Sequence, residues 1–208
     1  MMSLFPEELV VLDFETSGMA PQRGDRAIEI GAVKIRDNRI VERFESLMNP
    51  GFAVDSFIEE FTGITNAQLA QAPPAEEVMR EFSRFIGRVP LVAHNASFDQ
   101  RFLQAELERV GDVHPRRFGC SMLVARRVYP EAPNHKLATL VAYKGLPCEG
   151  TFHRALADAE MTAYLWLQMS CDLCEHYQCD SVSFDILSGL GRVPIKKVAQ
   201  YFEKVLHP

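Results

Sequence analysis

Leu9-Val10-Val11-Leu12 is an unbroken apolar run within residues 8–14, the pattern of a central strand buried on both faces. Ala27 to Ile35 is rich in Ile and Val, and Asp37-Asn38 supplies a tight hairpin turn before a third strand over Arg39 to Met48. The chain therefore opens with three strands, antiparallel neighbours. From Asp55 the pattern becomes short helical pieces, broken by Gly63 and Pro73-Pro74. Val78, Met79, Phe82, Phe85 and Ile86 then recur at helical spacing across Pro74 to Ile86. Leu91-Val92-Ala93 predicts a short buried strand, and Phe98, Phe102, Leu103 and Leu107 predict a helix over Ser97 to Val110. Another strand ends near Cys120, and helices follow through Val124, Val128, Leu137, Leu140 and Val141. His153 to Met169 is the strongest helical stretch, Ala- and Leu-rich without Gly or Pro. Strands first, then alternating strands and helices, predict an α/β protein with a mixed sheet.

After Ser170 the character shifts. Cys171, Cys174 and Cys179 cluster, and Ile195, Val198, Ala199, Phe202, Val205 and Leu206 share one helical face. This divides the chain into a main domain over residues 1–170 and a helical appendage over residues 171–208, packed on the domain because an amphipathic face wants a partner. Cys171, Cys174, His176 and Cys179 are enough ligands for zinc, but their spacing is cramped, and buried thiols are the simpler reading.

Composition acts mainly by exclusion. Hydrophobic residues make up 47% and charged residues 24%, an ordinary globular balance that needs no disulfide scaffold. The longest apolar stretches fall far short of the roughly 20 residues that span a bilayer. The N-terminus reaches Glu7-Glu8 without a basic residue, so it does not read as a signal peptide. Five cysteines then read as reduced thiols of a cytoplasmic protein. Lys and Arg number 22 against 28 Asp and Glu, for a net charge of −6. That argues against a broad basic face gripping duplex DNA and leaves open a nucleic-acid enzyme with a small footprint.

Three segments carry candidate chemistry. In Asp13-Phe14-Glu15-Thr16-Ser17-Gly18 the acids stand at i and i+2 of a strand, on one face and roughly 7 Å apart. They repel each other unless a hard divalent cation lies between them or both are solvated on a loop. The second segment is His94-Asn95-Ala96-Ser97-Phe98-Asp99, in which Asp99 is the functional candidate and His94 and Asn95 suit buried backbone groups. The third pairs His153 with Asp158. On one helix they diverge by about 140°, so they converge only if His153 lies on the approach loop. Asp158 interrupts a small, apolar face and needs a partner or a metal, and a nearby histidine suits a general base.

Asp-x-Glu-Thr, His-Asn-x-x-Phe-Asp and His-x4-Asp, in that order, resemble the DEDDh family of 3′–5′ exonucleases, which includes the proofreading epsilon subunit of bacterial DNA polymerase III and its free-standing relatives. The likeness covers about residues 8 to 170, with Arg26 to Ala32 and Thr62-Gly63-Ile64-Thr65 included. Thr62 departs from the polymerase subunit, which usually has His there. The resemblance implies a ribonuclease-H-like fold and two divalent ions, Mg²⁺ or Mn²⁺, held by Asp13, Glu15, Asp99 and Asp158, with His153 as base. On that reading Asp13 bridges both ions, Glu15 and Asp158 hold the water-activating ion, and Asp99 helps to hold the other. Thr16, Gly18, Met19, Phe61 and Phe98 are candidates for the terminal nucleotides, with core packing the alternative for the two phenylalanines. The implied partners are nucleic-acid 3′ ends and a DNA polymerase or another replication or repair protein, with no membrane. DNA and RNA are not distinguished.

Two other classes compete. Asp13-Phe14-Glu15-Thr16 nearly matches the Asp-x-Asp-x-Thr of haloacid-dehalogenase phosphatases, whose lysine and later acidic pair have no clear equivalent. A non-catalytic module binding polymer ends would not need five intact site residues.

Overall fold

The computed structural model describes residues 8–147 and 154–206. One sheet of five strands has the order β3-β2-β1-β4-β5. The strands are β1 (Leu9–Thr16), β2 (Ala27–Arg36), β3 (Arg39–Leu47), β4 (Leu91–Ala93) and β5 (Phe118–Cys120). β2 is antiparallel to β1 and β3, whereas β4 is parallel to β1 and β5. The hairpin between β2 and β3 turns on Asp37 (φ 51°) and Asn38 (φ 61°), two left-handed residues of the kind this two-residue turn requires. The mixed sheet expected from the sequence is present.

Helices α1 (Ser56–Thr62), α2 (Asn66–Gln71), α3 (Ala75–Ile86) and α4 (Ser97–Arg109) precede β5. They are followed by α5 (Ser121–Val128), α6 (Leu137–Lys144), α7 (Ala155–Tyr177), α8 (Phe184–Leu190) and α9 (Val198–Leu206). The two-residue period of β1 sorts them into layers. Val10, Leu12 and Phe14 pack with Met79 and Phe82 of α3 and Phe102 of α4. Leu9 and Val11 point the other way, into a cluster with Leu165 and Trp166 of α7. Continuing that alternation, Asp13 and Glu15 emerge on the α7 side.

Helix α7 passes through position 170 to Tyr177, so the boundary drawn after residue 170 falls inside a helix. Leu173, Phe184, Leu187, Leu190 and Phe202 are buried in the same cluster as Trp166. The Phe202 ring stacks on Tyr177 at 4.1 Å. Cys174 is buried, with Cys171 and Cys179 half-buried. Among the described residues, no helix is long and apolar enough to cross a membrane.

Candidate active site

Asp13 and Glu15 both lie inside β1, at i and i+2 of the strand, because pairing with β2 continues to Thr16. Asp13 stands opposite Gly31, and Glu15 opposite Glu29. Gly31 lets a helix approach the sheet: a Cβ there would sit 2.0 Å from Leu156 N and 2.1 Å from Ala155 C. The first turn of α7 therefore rests on β2 backbone beside Asp13. Fully buried Glu29 holds that turn in place. It accepts from Arg154 Nη2 at 2.8 Å, from Arg154 Nε at 3.0 Å and from the Ala155 N–H at 3.0 Å. A carboxylate at a helix N-terminus also complements the helix dipole.

With α7 so placed, Asp158 comes to the strand acids. One carboxylate oxygen from each of Asp13, Glu15 and Asp158 lies within 4.8 Å of the others. Asp99 arrives from the opposite layer. β4 ends at Ala93, which leaves the β1 edge open beyond it, and the Asp99 carboxylate accepts the Phe14 N–H at 3.2 Å. Phe14 is the residue between the two strand acids, so Asp99 is bonded to the backbone that carries both.

The cost of this crowding is visible in acidity. Burial first, then the charges of Asp99, Asp158, Glu15 and Glu29, push Asp13 well above the usual carboxylate range. Burial, followed by Asp158, Glu29 and Asp99, raises Glu15 to about 8, with Arg154 pulling back slightly. Asp99 is 2% exposed; burial raises it to about 8 against the N–H groups of its own residue and Phe14, which draw it down. Such a set of crowded, hard oxygen donors fits a divalent cation such as Mg²⁺ or Mn²⁺.

His153 lies outside the described residues; its neighbour Arg154 is the residue clamped by Glu29. Thr16 is buried, and its hydroxyl donates to the Gly18 carbonyl at 2.6 Å, closing the turn after β1. Met19 is 69% exposed beside that turn. Phe61 is 52% exposed on α1 and stacks on Phe57 at 6.0 Å. Phe98 is half-buried against Phe102 at 5.0 Å, closer to a core role. His94 bonds a backbone carbonyl, that of His135, at 2.9 Å, as expected for a residue satisfying buried backbone.

Glu29 and Arg154 carry no role in the sequence reading, although Ile28-Glu29-Ile30 advertised one. A carboxylate in the middle of an apolar strand needs a cation or donors. Arg26 shows the same logic, with its guanidinium on buried Glu106 at 2.8 Å and on Glu76 at 2.9 Å, tying the start of β2 to α4 and α3.

Known proteins resemble this chain to different extents. The chain is 40% identical over 174 residues to the PolC-type DNA polymerase III of Bacillus cereus, covering 83% of this chain and 12% of the polymerase. It is 35% identical over 167 residues to the 3′–5′ exonuclease DinG of Bacillus subtilis, covering 78% of this chain and 18% of DinG. It thus spans less than a fifth of either relative. Exonuclease X, solved in complex with 5′ overhanging duplex DNA, superposes with a TM-score of 0.67 at 25% identity, over 88% of this chain and 99% of that one. The nuclease domain of 3′hExo, a DEDDh family member, shares the fold at a TM-score of 0.67 and 20% identity. The profile described as Exonuclease matches residues 10–166. Together with the mixed sheet and its converging acids, that match makes this chain a member of the 3′–5′ exonuclease family with a ribonuclease-H-like fold.

Proposed function

We propose that the protein hydrolyses phosphodiester bonds from the 3′ end of single-stranded DNA or frayed 3′ ends, releasing nucleoside 5′-monophosphates by a two-metal mechanism. The observation that carries this reading is the convergence of Asp13, Glu15 and Asp158 within 4.8 Å, with Asp99 bonded to the strand between the first two. When bound, two divalent ions supply charge neutralisation at the attacking and leaving oxygens. Asp13 would bridge them, Glu15 and Asp158 would hold one, and Asp99 would help to hold the other. His153 takes the proton from the attacking water, and Glu29 fixes the helix turn that follows it. Backbone groups at Thr16 and Gly18, with the surfaces of Met19, Phe61 and Phe98, receive the terminal nucleotides. A replicative polymerase or another replication protein is the partner class, in keeping with the PolC relatives.

The test is digestion of 5′-labelled single-stranded DNA, RNA and duplexes, beside a circular single strand, with Mg²⁺ or Mn²⁺. A descending ladder from linear DNA and survival of the circle are expected. Rapid cleavage of the circle would overturn the exonuclease reading, and faster digestion of RNA would overturn the choice of polymer.

A further inference from the structure

A groove of about 620 Å³ opens at the carboxyl end of β4. Its lining includes His94, Asn95, Arg126, Asn134, His135 and Lys136, and no Asp or Glu among the described residues. For a chain of net charge −6 this is an unusual local composition. β4 runs parallel to β1, with Val11 beside Val92, and ends at Ala93, so His94 leaves β4 at the same end of the sheet where β1 carries Asp13 and Glu15. The groove therefore lies at the end of the sheet that carries the acids.

Its walls are fixed in advance. The His135 carbonyl can only accept, so His94 Nε2–H donates to it at 2.9 Å, leaving Nδ1 to accept from the Ser121 hydroxyl at 2.8 Å. One neutral imidazole thus joins β4, the start of α5 and the loop before α6. Burial, with smaller contributions from the charges of His135 and Arg126, lowers His94 to about 4 and keeps the ring in this role. Arg126 and Lys136 are exposed, and among the described residues neither has a carboxylate at ion-pair distance. Lys136 also caps α6, whose first turn has no side-chain cap and so leaves amide donors at the same place. Two unneutralised cations, an uncapped helix start and a neutral histidine brace together suit a polyanion.

We propose that this groove binds internucleotide phosphates of the strand whose 3′ end lies at Asp13, with Arg126 and Lys136 as the phosphate contacts. The inference rests on the nuclease reading for its ligand. It is tested by fluorescence anisotropy of a 5′-labelled dT12 with the Asp13→Asn protein in Mg²⁺, so that binding is read without turnover. Adding Arg126→Gln and Lys136→Gln is expected to weaken binding roughly five- to tenfold. The slope of log affinity against log salt should become shallower by about 1.4, for two lost single-strand phosphate contacts. Arg88→Gln with Lys204→Gln removes equal charge from exposed positions outside the groove and serves as the control. Equal loss in both pairs would mean bulk charge alone and would overturn the groove, as would no loss in either; melting curves establish that all variants fold. The wild-type digestion assay separates the two ideas. Active enzyme with unaltered binding in the groove variant sinks only the groove, whereas inactive enzyme with the predicted binding loss sinks only the hydrolytic function.

Discussion

Neutralising Glu15 should stabilise the metal-free protein at alkaline pH. Glu15 is raised from 4.5 to about 8, chiefly by burial and then by Asp158, Glu29 and Asp99. A carboxyl with a folded pKa above its unfolded value keeps a proton in the native state where the unfolded chain has released it. Stability therefore falls as pH rises from about 4.5 to about 8 and stays low beyond. At about 1.4 kcal/mol per pH unit, the full penalty is on the order of 5 kcal/mol. Part of it returns in Glu15→Gln, because Asp13 ionises more readily once its neighbour is neutral. A net gain of about 2–4 kcal/mol raises Tm by roughly 5–10 °C in a chain of this size. The assay is thermal unfolding in EDTA from pH 4 to pH 9, for wild type and Glu15→Gln. The curves should nearly coincide at pH 4 and separate by pH 9, and Mg²⁺ at pH 9 should raise wild type more than the variant. A gap independent of pH, or a less stable variant at pH 9, would refute the reasoning that crowded carboxylates load this site with strain.

Asp13→Ala should abolish hydrolysis with either metal, and near-wild-type turnover of labelled DNA would remove Asp13 from the chemistry. His153→Ala should retain metal affinity by calorimetry while losing about 100- to 10,000-fold in rate; collapse of the affinity would make His153 a ligand instead. Gly31→Ala forces a methyl into the backbone at Leu156, so a loss of about 3 kcal/mol in urea melts and of about 100-fold in kcat is expected, and a silent variant would contradict the close approach. Truncation after residue 170 removes Phe184, Leu187, Leu190 and Phe202 from the shared core, at about 1.5–3 kcal/mol each. That rivals a typical net stability of about 5–15 kcal/mol, so the fragment should show no cooperative melt.

The strands and the long helices were legible because each is written in local pattern, and Asp13, Glu15 and Asp158, which the fold brings together, stood out as carboxylates in or beside apolar runs. Local pattern does not show pairing: the apolar run of β1 stops at Leu12, whereas register with β2 carries the strand through both acids to Thr16. The same blindness to pairing hid Glu29, whose partner Arg154 is 125 positions away in sequence. Ser170 and the cysteines made the chain look different after Met169, yet Leu173 and Cys174 continue the buried face of α7. The basic groove was invisible because Arg126 and Lys136 lie on separate helical segments, which bonds from His94 and His135 bring to one place.

The distances in sequence between Asp13, Asp99 and Asp158 also set an order of assembly. β1, β2 and β3 pair through short connections, whereas β1 meets β4 only after a long loop is closed, and α7 comes from the last third of the chain. Local pairings cost less chain entropy and form sooner than such distant ones. A chain made from its N-terminus has all five strands synthesised before Asp158, three of them joined by short connections. On the proposed reading it lacks a complete acid cluster until α7 has been made. On refolding from urea, secondary structure should return first, and the ability to degrade DNA should return last, at the moment α7 seats on Gly31.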